Sequence, residues 1–394
     1  MNRIKVVHLV YSFELGGIES LLVDLLSGLD KDKFDVHLIV LTSDKTRMVE
    51  YLKSVTVHLL DYKTTNIKKI KNLYPSLISL AGLLKEINPA IIHSHLAATS
   101  FLFIAIALKI SKAKVKHIRT VHTTGMLFNE KKTYKEKLML LQDKIAMRIS
   151  KPYLVSISKS VQKNNLKYFK NCMAGERLIY NGIDLNLFDS KYCTAVKNDF
   201  GIQDSASVVT YISRIDYGKN HDFLLEIWAE VIKENPQAVL CIAGDGPLKM
   251  KCIEKAEELK ISKNVIFLGR ITKVVELLNV TDIAVFPSSY EGFSIVMLEK
   301  LAMGLPVIAS DIEPFKEIMK NNEEGYLISL TNKNRFIDKL IYLLSNKDTC
   351  KIMSEKARVT AANYSIGNTV KQHEDIYFKL LAYNTKRNQG MLNV

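Results

Sequence analysis

Short apolar runs, many of them rich in β-branched residues, alternate with amphipathic stretches along the first half of the chain. The runs include "IKVVHLVY" at 4–11, "FDVHLIVL" at 34–41, "AIIHSH" at 90–95 and "VKHIRTVH" at 115–122. Between them lie segments such as "IESLLVDLLSGL" at 18–29, whose apolar positions recur at helical spacing. Strands that alternate with helices predict βαβ units and a parallel sheet.

The alternation pauses at residues 181–201, a stretch rich in Asn, Asp and Gly, and resumes with "ASVVTYISR" at 206–214. A chain of 394 residues fits two domains of roughly 200 residues each. We therefore predict two doubly wound α/β domains, at residues 1–195 and 196–365. The tail at 366–394 has helical spacing, and its apolar positions are Val370, Ile376, Phe378 and Leu380.

Composition adds little to this picture and excludes several classes of protein. With 47% hydrophobic residues the chain can bury two cores. Its five cysteines form no ligand-spaced set, which predicts reduced thiols in the cytoplasm. The chain opens directly on a strand, so no leader is expected. The apolar run at 96–110 falls short of the roughly 20 residues that a membrane span needs, and predicts a buried helix.

The net charge of +14 is concentrated in the first half of the chain. Residues 1–190 carry 29 Lys and Arg against 16 Asp and Glu, whereas residues 191–394 carry 26 against 25. Such an excess attracts nucleic acid, an anionic membrane or a phosphorylated substrate, and it equally suits a merely soluble surface. No nucleic-acid recognition motif accompanies it, so we predict no nucleic-acid partner.

In open parallel sheets, ligands bind at the carboxyl ends of the strands, so the loops there are candidates for chemistry. Gly16 and Gly17 precede a helix whose free N–H groups suit an anion, although a tight turn explains them as well. His122 ends a strand, where a hydrogen-bonded structural histidine is the commoner case. His93 and His95 are not predicted to bind metal, because neither a carboxylate nor a third histidine accompanies them.

In the second half, Arg214 and Lys219 flank a glycine between a strand and a helix. Two fixed cations at a helix end suit a diphosphate, and solvated surface cations are the alternative. The turn "GDGP" at 244–247 is read as structural, since Pro247 suits the first turn of a helix. Gly269 ends the strand in "VIFLGRI", where backbone groups can meet a flat base.

The stretch "SSYEGFSIVMLEKLAMGLPVIAS" at 288–310 places two acids in an apolar context. Glu291 suits the start of a helix as a dipole partner, worth roughly 0.3–1 kcal/mol. Glu299 is predicted to be a buried acid that needs a partner. Eight helical residues rise about 12 Å, more than the 5–9.5 Å or so of a glycosidase pair, so the spacing better suits two ends of one elongated ligand.

Taken together, these motifs resemble those of the GT-B-fold, retaining glycosyltransferases of family 4, particularly the bacterial polysaccharide-assembly members. The resemblance covers nearly the whole chain: "GGIES", "HSH", "TVHTTG", "YNGID", "SRIDYGKN", "GDGP", "FLGR" and the Glu-x7-Glu motif of Glu291 and Glu299. It implies two Rossmann-like domains facing across a cleft, with the C-terminal helix crossing back to the N-terminal domain.

The resemblance also implies roles for the candidate residues. Arg214 and Lys219 would hold the nucleotide diphosphate and stabilise it as a leaving group. Glu299 would bind the ribose, and Glu291 would face the transferred sugar. The remaining implied contacts are the following: Gly292, Phe293 and Ser294 as helix-start N–H donors, Gly16 and Gly17 at the diphosphate and acceptor, His122 at the sugar, and Gly269, Arg270 and Ile271 at the base.

The implied reaction is retaining, metal-free transfer from a nucleotide sugar to a glycan; we find no DxD-type cluster. UDP is favoured as the nucleotide and GDP competes with it. The N-terminal domain would handle the acceptor, and the basic amphipathic segment 133–151 suggests a lipid-linked acceptor at the cytoplasmic membrane face. A core-packing helix with solvated lysines is the alternative for that segment. A GT-B-fold sugar-nucleotide epimerase and a non-catalytic nucleotide-sugar-binding subunit remain open as alternatives to a transferase.

Overall fold

A computed structural model describes residues 3–14, 16–43, 46–62, 73–96, 98–122, 133–189, 191 and 193–390. Its contacts divide the chain into two compact units. The first unit comprises Met1–Asn181 together with Ile366–Val394, and the second comprises Gly182–Ser365. The C-terminal helix therefore belongs to the unit that opens the chain. Thr123–Gly125 of the "TVHTTG" motif lie outside the described residues.

The first unit contains a parallel sheet with the strand order β3-β2-β1-β4-β5-β6-β7. Its strands are β1 (Ile4–Val10), β2 (Phe34–Val40), β3 (Thr56–Leu59), β4 (Ile91–Ser94), β5 (Lys116–Val121), β6 (Tyr153–Ser156) and β7 (Gly175–Leu178). The chain reverses its winding direction at β1, which pairs with both β2 and β4. Every strand predicted from the sequence is present, and β7 is an addition.

Helices follow these strands as βαβ units require. They are α1 (Gly17–Gly28), α2 (Leu73–Ile87), α3 (Ala98–Ser111), α4 (Tyr134–Ser150), α5 (Lys159–Phe169) and α13 (Ile366–Gly390). The apolar run 96–110 is the buried helix α3, with Phe101 and Ile104 fully inaccessible. None of the helices in the described ranges is long and apolar enough to cross a bilayer.

The C-terminal helix α13 is part of the core of the first unit. Val370, Ile376 and Tyr377 are buried among residues of β1, β2 and α1. The carboxylate of Glu374 accepts a hydrogen bond from the backbone N–H of Asp30 at 2.9 Å. Of the apolar positions predicted for this helix, Phe378 is exposed, and the fully buried aromatic residue is its neighbour Tyr377.

The second unit contains a parallel sheet with the order β10-β9-β8-β11-β12-β13. Its strands are β8 (Val208–Ile212), β9 (Val239–Ala243), β10 (Val265–Gly269), β11 (Ile283–Phe286), β12 (Val307–Ser310) and β13 (Gly325–Ile328). Its helices are α6 (His221–Glu234), α7 (Lys249–Glu258), α8 (Val274–Asn279), α9 (Ile295–Ala302), α10 (Glu313–Lys316), α11 (Lys333–Ser345) and α12 (Lys347–Ala362). Both units are thus doubly wound α/β structures, as predicted.

Helix α4 turns its apolar stripe outward, so the core-packing alternative for segment 133–151 is wrong. The stripe consists of Tyr134, Leu138, Leu141, Ile145 and Ile149, all exposed. The opposite face is anchored instead, because Asp143 is buried and pairs with Arg119 of β5 at 2.9 Å. Arg119 in turn lies over the Phe101 ring at 3.9 Å. A buried ion pair with a cation–π contact holds that face, which leaves the apolar stripe to solvent.

The five cysteines all fall in described residues and are free thiols. Cys172, Cys241 and Cys252 are buried. Burial raises the pKa of the Cys241 thiol to about 12 and that of Cys252 to about 11. These two therefore pack as small apolar side chains rather than as nucleophiles.

Candidate active site

Lys219 and Glu291 are brought together at the carboxyl ends of β8 and β11. The Lys219 ammonium donates to Glu291 Oε1 at 2.5 Å, and the two side chains are 22% and 16% exposed. The pair is thus half-buried but open enough to meet a ligand. Arg214, from the same loop, is 70% exposed and pairs with Asp216 at 3.1 Å.

The loop before α6 is held in place by the loop before α9. Gly218 has a φ of +81°, and a Cβ there would lie 2.2 Å from the Tyr290 ring, so only glycine fits. The Asn220 side-chain amide donates to the Pro287 carbonyl at 2.6 Å and to Ser289 Oγ at 2.7 Å. The Tyr211 hydroxyl donates to the carbonyl of Lys219 itself at 2.9 Å. These bonds set the position of Lys219 beside Glu291.

Glu291 does not cap the helix that follows it. Helix α9 begins at Ile295, and its N-cap is Ser294, whose hydroxyl accepts from the Met297 N–H at 3.3 Å. The helix-dipole interpretation of Glu291 is therefore replaced by the ion pair with Lys219. The expected separation of about 12 Å between Glu291 and Glu299 assumed one continuous helix. It does not apply, because Glu291 lies in the loop before α9.

The buried charge of α9 is Lys300 rather than Glu299. Glu299 is half-buried, whereas Lys300 is fully inaccessible and its Nζ has no hydrogen-bond partner within the described ranges. The Nζ lies 4.9 Å from the centre of the Phe286 ring. Burial lowers the pKa of Lys300 to about 7, although the carboxylate of Glu299 acts in the opposite direction. The expectation of a buried acid at Glu299 was wrong, because the helix turns the next residue to the core.

The "GDGP" turn is structural, as predicted. Gly244 has a φ of +141°, and a Cβ there would lie 1.8 Å from the Ser213 carbonyl oxygen. A Cβ on Gly246 would lie 2.2 Å from the Ile215 carbonyl oxygen. The turn packs against the backbone that carries Arg214, so its glycines permit the close approach of the two loops.

The residues that were predicted to contact the nucleotide base lie beside a cavity of the second unit. Gly269 ends β10 with a φ of +66°. Arg270 and Ile271 then line a cavity of about 550 Å³. Its other lining residues are Thr194, Ala195, Asp199, Phe200, Thr272, Lys273 and Glu276. Apolar and charged groups therefore share the walls of a space large enough for a nucleoside.

Gly16, Gly17 and His122 belong to the first unit. Helix α1 begins at Gly17 after an extended Gly16, and Glu19 stands in its first turn. Burial raises the pKa of the Glu19 carboxyl. A Cβ on Gly16 would approach Glu19 Oε2 to 2.5 Å. Gly16 therefore leaves room for the Glu19 side chain at the N-terminus of α1. A helix N-terminus is also the position where a bound anion is favoured.

His122 stands at the end of a hydrogen-bonded chain inside the first unit. We call it the histidine chain, and its members in order are Thr120, His93, Tyr377, His8, His95 and His122. Donor–acceptor distances along it run from 2.7 Å, at Thr120 Oγ1 to His93 Nε2, to 3.2 Å, at Tyr377 Oη to His8 Nε2. Nδ1 of His122 is buried and has no partner in the described structure.

Contrary to the prediction, a third histidine does accompany His93 and His95. His8 lies directly opposite His93 where β1 pairs with β4. Among described residues, nitrogens of His8, His93 and His95 lie within 4.8 Å of one another and could hold a metal ion. Here they hydrogen-bond one another, Tyr377, Thr120 and His122 instead. The sequence signal that could have identified His8 is its position inside the apolar run "VVHLV".

Comparison with known proteins matches each unit to a glycosyltransferase model. Residues 15–187 match the model described as Glycosyltransferase Family 4, and residues 194–360 match the model described as Glycosyl transferases group 1. The chain is 28% identical over 391 residues to the UDP-Gal:alpha-D-GlcNAc-diphosphoundecaprenol alpha-1,3-galactosyltransferase of Escherichia coli. That alignment covers 96% of this chain and 98% of the relative.

Two further comparisons agree with this assignment. The N-acetyl-alpha-D-glucosaminyl L-malate synthase of Bacillus anthracis is 24% identical over 81% of this chain and 83% of its own length. The crystal structure of Anabaena HepE, in complex with UDP and glucose, has a TM-score of 0.80 at 17% identity. It covers 96% of this chain and 100% of its own, which establishes the shared GT-B fold. The chain belongs to the GT-B-fold glycosyltransferases of family 4.

Proposed function

We propose that this enzyme transfers a sugar from a UDP-sugar to a lipid-linked glycan, with retention of configuration and without a metal ion. The observation that carries the proposal is the half-buried Lys219–Glu291 pair at the strand ends, with Arg214 in the same loop. A diphosphate leaving group accumulates negative charge as the glycosidic bond breaks, and fixed cations stabilise it there. Lys219 and Arg214 supply that positive charge from the protein itself.

The donor is held along the second unit in this proposal. Arg270 and Ile271 line the 550 Å³ cavity and are assigned to the base. Glu299, which does not line that cavity, is assigned to the ribose hydroxyls. Glu291 faces the transferred sugar, while Gly292, Phe293 and Ser294 present backbone N–H groups ahead of α9. In the first unit, the proposal assigns Gly16 and Gly17 together to the diphosphate and the acceptor, and His122 to the sugar. UDP is favoured over GDP because the Escherichia coli relative uses UDP-Gal and HepE was solved with UDP.

Retention follows from attack on the same face as the leaving group. The acceptor hydroxyl oxygen bonds to the anomeric carbon as the bond from that carbon to the diphosphate oxygen breaks. The hydroxyl proton passes to the departing diphosphate oxygen, so no protein base is needed. Lys219 and Arg214 then neutralise the nucleoside diphosphate product.

Thermal unfolding with a panel of nucleotide sugars tests the donor. We expect one UDP-sugar to raise the melting temperature, with about 2.7 kcal/mol of stabilisation at a ligand concentration 100 times Kd. Glu299→Ala should abolish most of that shift, since it removes the ribose acceptor. The matched control is Glu355→Ala on the exposed face of α12, which should keep the full shift. A shift with GDP-sugars alone, or an unchanged shift in Glu299→Ala, would contradict this assignment.

The exposed stripe of α4 supports a membrane-borne acceptor. Five large apolar side chains lie in the open on one helix, and Lys137, Lys144 and Arg148 lie beside them. A soluble surface rarely gathers such a patch without a partner. An apolar face bordered by cations fits an anionic bilayer, where the side chains enter the headgroup region and the cations meet phosphates. The Escherichia coli relative is named for a diphosphoundecaprenol-linked acceptor, whereas the Bacillus anthracis relative is named for L-malate.

Co-sedimentation with vesicles tests this surface. We expect the protein to pellet with vesicles that contain anionic phospholipid and to stay in solution with neutral ones. The triple variant Leu138→Ser, Leu141→Ser, Ile145→Ser should lose most of that binding. Ile352→Ser with Val359→Ser, which removes exposed apolar side chains from α12, is the matched control and should bind as the wild type does. Equal binding by the α4 variant and the wild type would refute the role of this stripe.

The alternatives differ from the transferase in what they produce. An epimerase would release a free epimerised sugar nucleotide in the absence of any acceptor, and a binding subunit would shift its melting temperature without turnover. Neither family description names an epimerase. Product analysis with the donor alone, then with a lipid-linked acceptor, separates the three functions.

A further inference from the structure

The histidine chain has a property that no single residue in it reveals: its hydrogen bonds share one direction. Burial lowers the pKa of His8 to about 3 and that of His122 to about 4, and it lowers the pKa of His93 and His95 as well. The four rings are therefore neutral near pH 7. A neutral imidazole has one N–H donor and one acceptor nitrogen, and the Tyr377 hydroxyl donates a single proton. Each ring that accepts on one nitrogen must then donate from the other.

Only two arrangements satisfy every bond of the chain and also give the proton of the buried Tyr377 hydroxyl an acceptor. In the first, Thr120 donates to His93, His93 to Tyr377, Tyr377 to His8, His8 to His95, and His95 to His122. In the second, all of these donors and acceptors are reversed. The arrangements differ at His122, which carries its proton on Nδ1 in the first and on Nε2 in the second.

The far end of the chain decides between the two arrangements. Thr120 is 4% exposed, and the His93 Nε2 atom is its hydrogen-bond partner at 2.7 Å. In the second arrangement the Thr120 hydroxyl would accept from His93, and its own proton would have no acceptor in the described structure. In the described structure the second arrangement thus leaves two buried groups unpaired, the Thr120 hydroxyl proton and the His122 Nδ1 lone pair, whereas the first leaves only the His122 Nδ1–H. Each unpaired buried polar group costs desolvation free energy, so the first arrangement is favoured.

We propose that the histidine chain holds His122 in the Nδ1–H tautomer, and that Tyr377 is a positioning residue for the transfer reaction. The buried, unpartnered Nδ1 of His122 then presents a neutral hydrogen-bond donor, suited to a hydroxyl or ring oxygen of the sugar. The consequence for turnover rests on the function proposed above. The tautomer itself is a property of the first unit alone.

Tyr377 is the best point at which to interrupt the chain. It comes from α13, it is fully buried, and its ring packs against Phe34 with centroids 5.8 Å apart. Tyr377→Phe keeps that ring in place and removes both hydroxyl bonds. The chain is then cut into Thr120–His93 on one side and His8–His95–His122 on the other. The second fragment loses the donor that set its direction.

Nitrogen-15 NMR of the full chain, labelled at histidine, tests the proposal without substrate, because the Nδ1 and Nε2 shifts identify each tautomer. The expected wild-type result is His122 protonated on Nδ1 at pH 7. Tyr377→Phe and Thr120→Val should both introduce the Nε2–H tautomer, and Thr120→Ser, which restores a hydroxyl, should recover the wild-type spectrum. Tyr153→Phe, which removes a hydroxyl bond to the Glu176 carbonyl elsewhere in the unit, should leave His122 unchanged.

Kinetics supply the second readout. We expect kcat to fall at least tenfold or so in Tyr377→Phe and Thr120→Val, since general hydrogen-bond and proton-transfer roles contribute about 10²–10⁴-fold. KM for the donor should change by less than about threefold, and Thr120→Ser and Tyr153→Phe should retain kcat. If Thr120 had a purely structural role, Thr120→Val would alter the stability of the protein without lowering kcat at a nearly unchanged KM.

Two results would overturn the proposal: His122 protonated on Nε2 in the wild type, or an unchanged His122 spectrum in both Tyr377→Phe and Thr120→Val. The NMR spectrum tests the histidine chain, and the transfer assay tests the proposed function independently of it. A protein whose tautomers respond as expected, yet which transfers no sugar, supports the histidine chain and refutes the proposed function instead.

Discussion

Lys219→Ala is expected to lower kcat for sugar transfer by about 10²–10³-fold, the usual effect of removing one preorganised donor from a site where charge develops. The Lys219 ammonium lies 2.5 Å from Glu291 in the resting protein and is 22% exposed, so it can reach a diphosphate. Its contribution grows as the glycosidic bond breaks and charge moves onto the leaving oxygen. KM for the donor should therefore change less than kcat. Arg214→Ala should act in the same direction.

A double-mutant cycle with Glu291→Gln separates this role from a structural one. If Lys219 served only to neutralise Glu291, the double variant would turn over as fast as Glu291→Gln alone. If Lys219 acts on the leaving group, the double variant should be slower than Glu291→Gln by a further large factor. Lys233→Ala, which breaks an exposed ion pair with Glu230, is the control and should leave kcat unchanged. Steady-state kinetics of purified proteins with matched melting temperatures decide between these outcomes.

Lys300→Met is expected to stabilise the protein by about 1–4 kcal/mol at pH 7, since replacing a buried charge with an apolar side chain of similar volume removes its desolvation cost. Lys300 is fully buried in α9 against the Phe286 ring, and its ammonium has no hydrogen-bond partner in the described ranges. The methionine keeps the length of the side chain. Urea unfolding monitored by circular dichroism gives the free energy of unfolding for both proteins.

The pH dependence identifies the cause of that gain. Burial lowers the pKa of Lys300 from 10.5 to about 7, so between those values the unfolded chain holds a proton that the folded chain lacks. The penalty is fully present below pH 7 and disappears as pH rises through 10.5. The advantage of Lys300→Met should therefore shrink by about 1.4 kcal/mol per pH unit above pH 7. Lys356→Met, at an exposed position of α12, should change stability by under about 0.5 kcal/mol at every pH. A gain at Lys300 that is independent of pH would contradict this explanation.

Local periodicity was sufficient to predict most of the fold. Most strands between Ile4–Val10 and Val307–Ser310 were predicted from apolar runs between helical stretches, because neighbouring residues alone determine that pattern. Two strands were missed, Gly175–Leu178 and Gly325–Ile328. The first has a half-buried, mixed composition, and the second opens on a glycine with a φ of +150°, so neither shows a clear strand pattern.

The candidate site was predicted less evenly. The positions of Arg214, Lys219, Glu291 and Glu299 follow from motif and from the rule that ligands collect at strand ends. The partners of these residues do not. The start of α9 determines whether Glu299 or Lys300 of "LEKLA" enters the core. The helix begins at Ile295 because the loop before it is held by contacts with residues 213–220.

The sequence by itself determined the alternation of strands and helices, the two doubly wound units and the residues that carry the family resemblance, since each depends on local spacing. Only the tertiary structure decided that α4 turns its apolar stripe outward, that Lys300 rather than Glu299 is buried, and that His8 and Tyr377 join His95 and His122. Those facts depend on residues as much as 369 positions apart along the chain. Strand pairing and the packing of α13 bring them together, and no local pattern records that proximity.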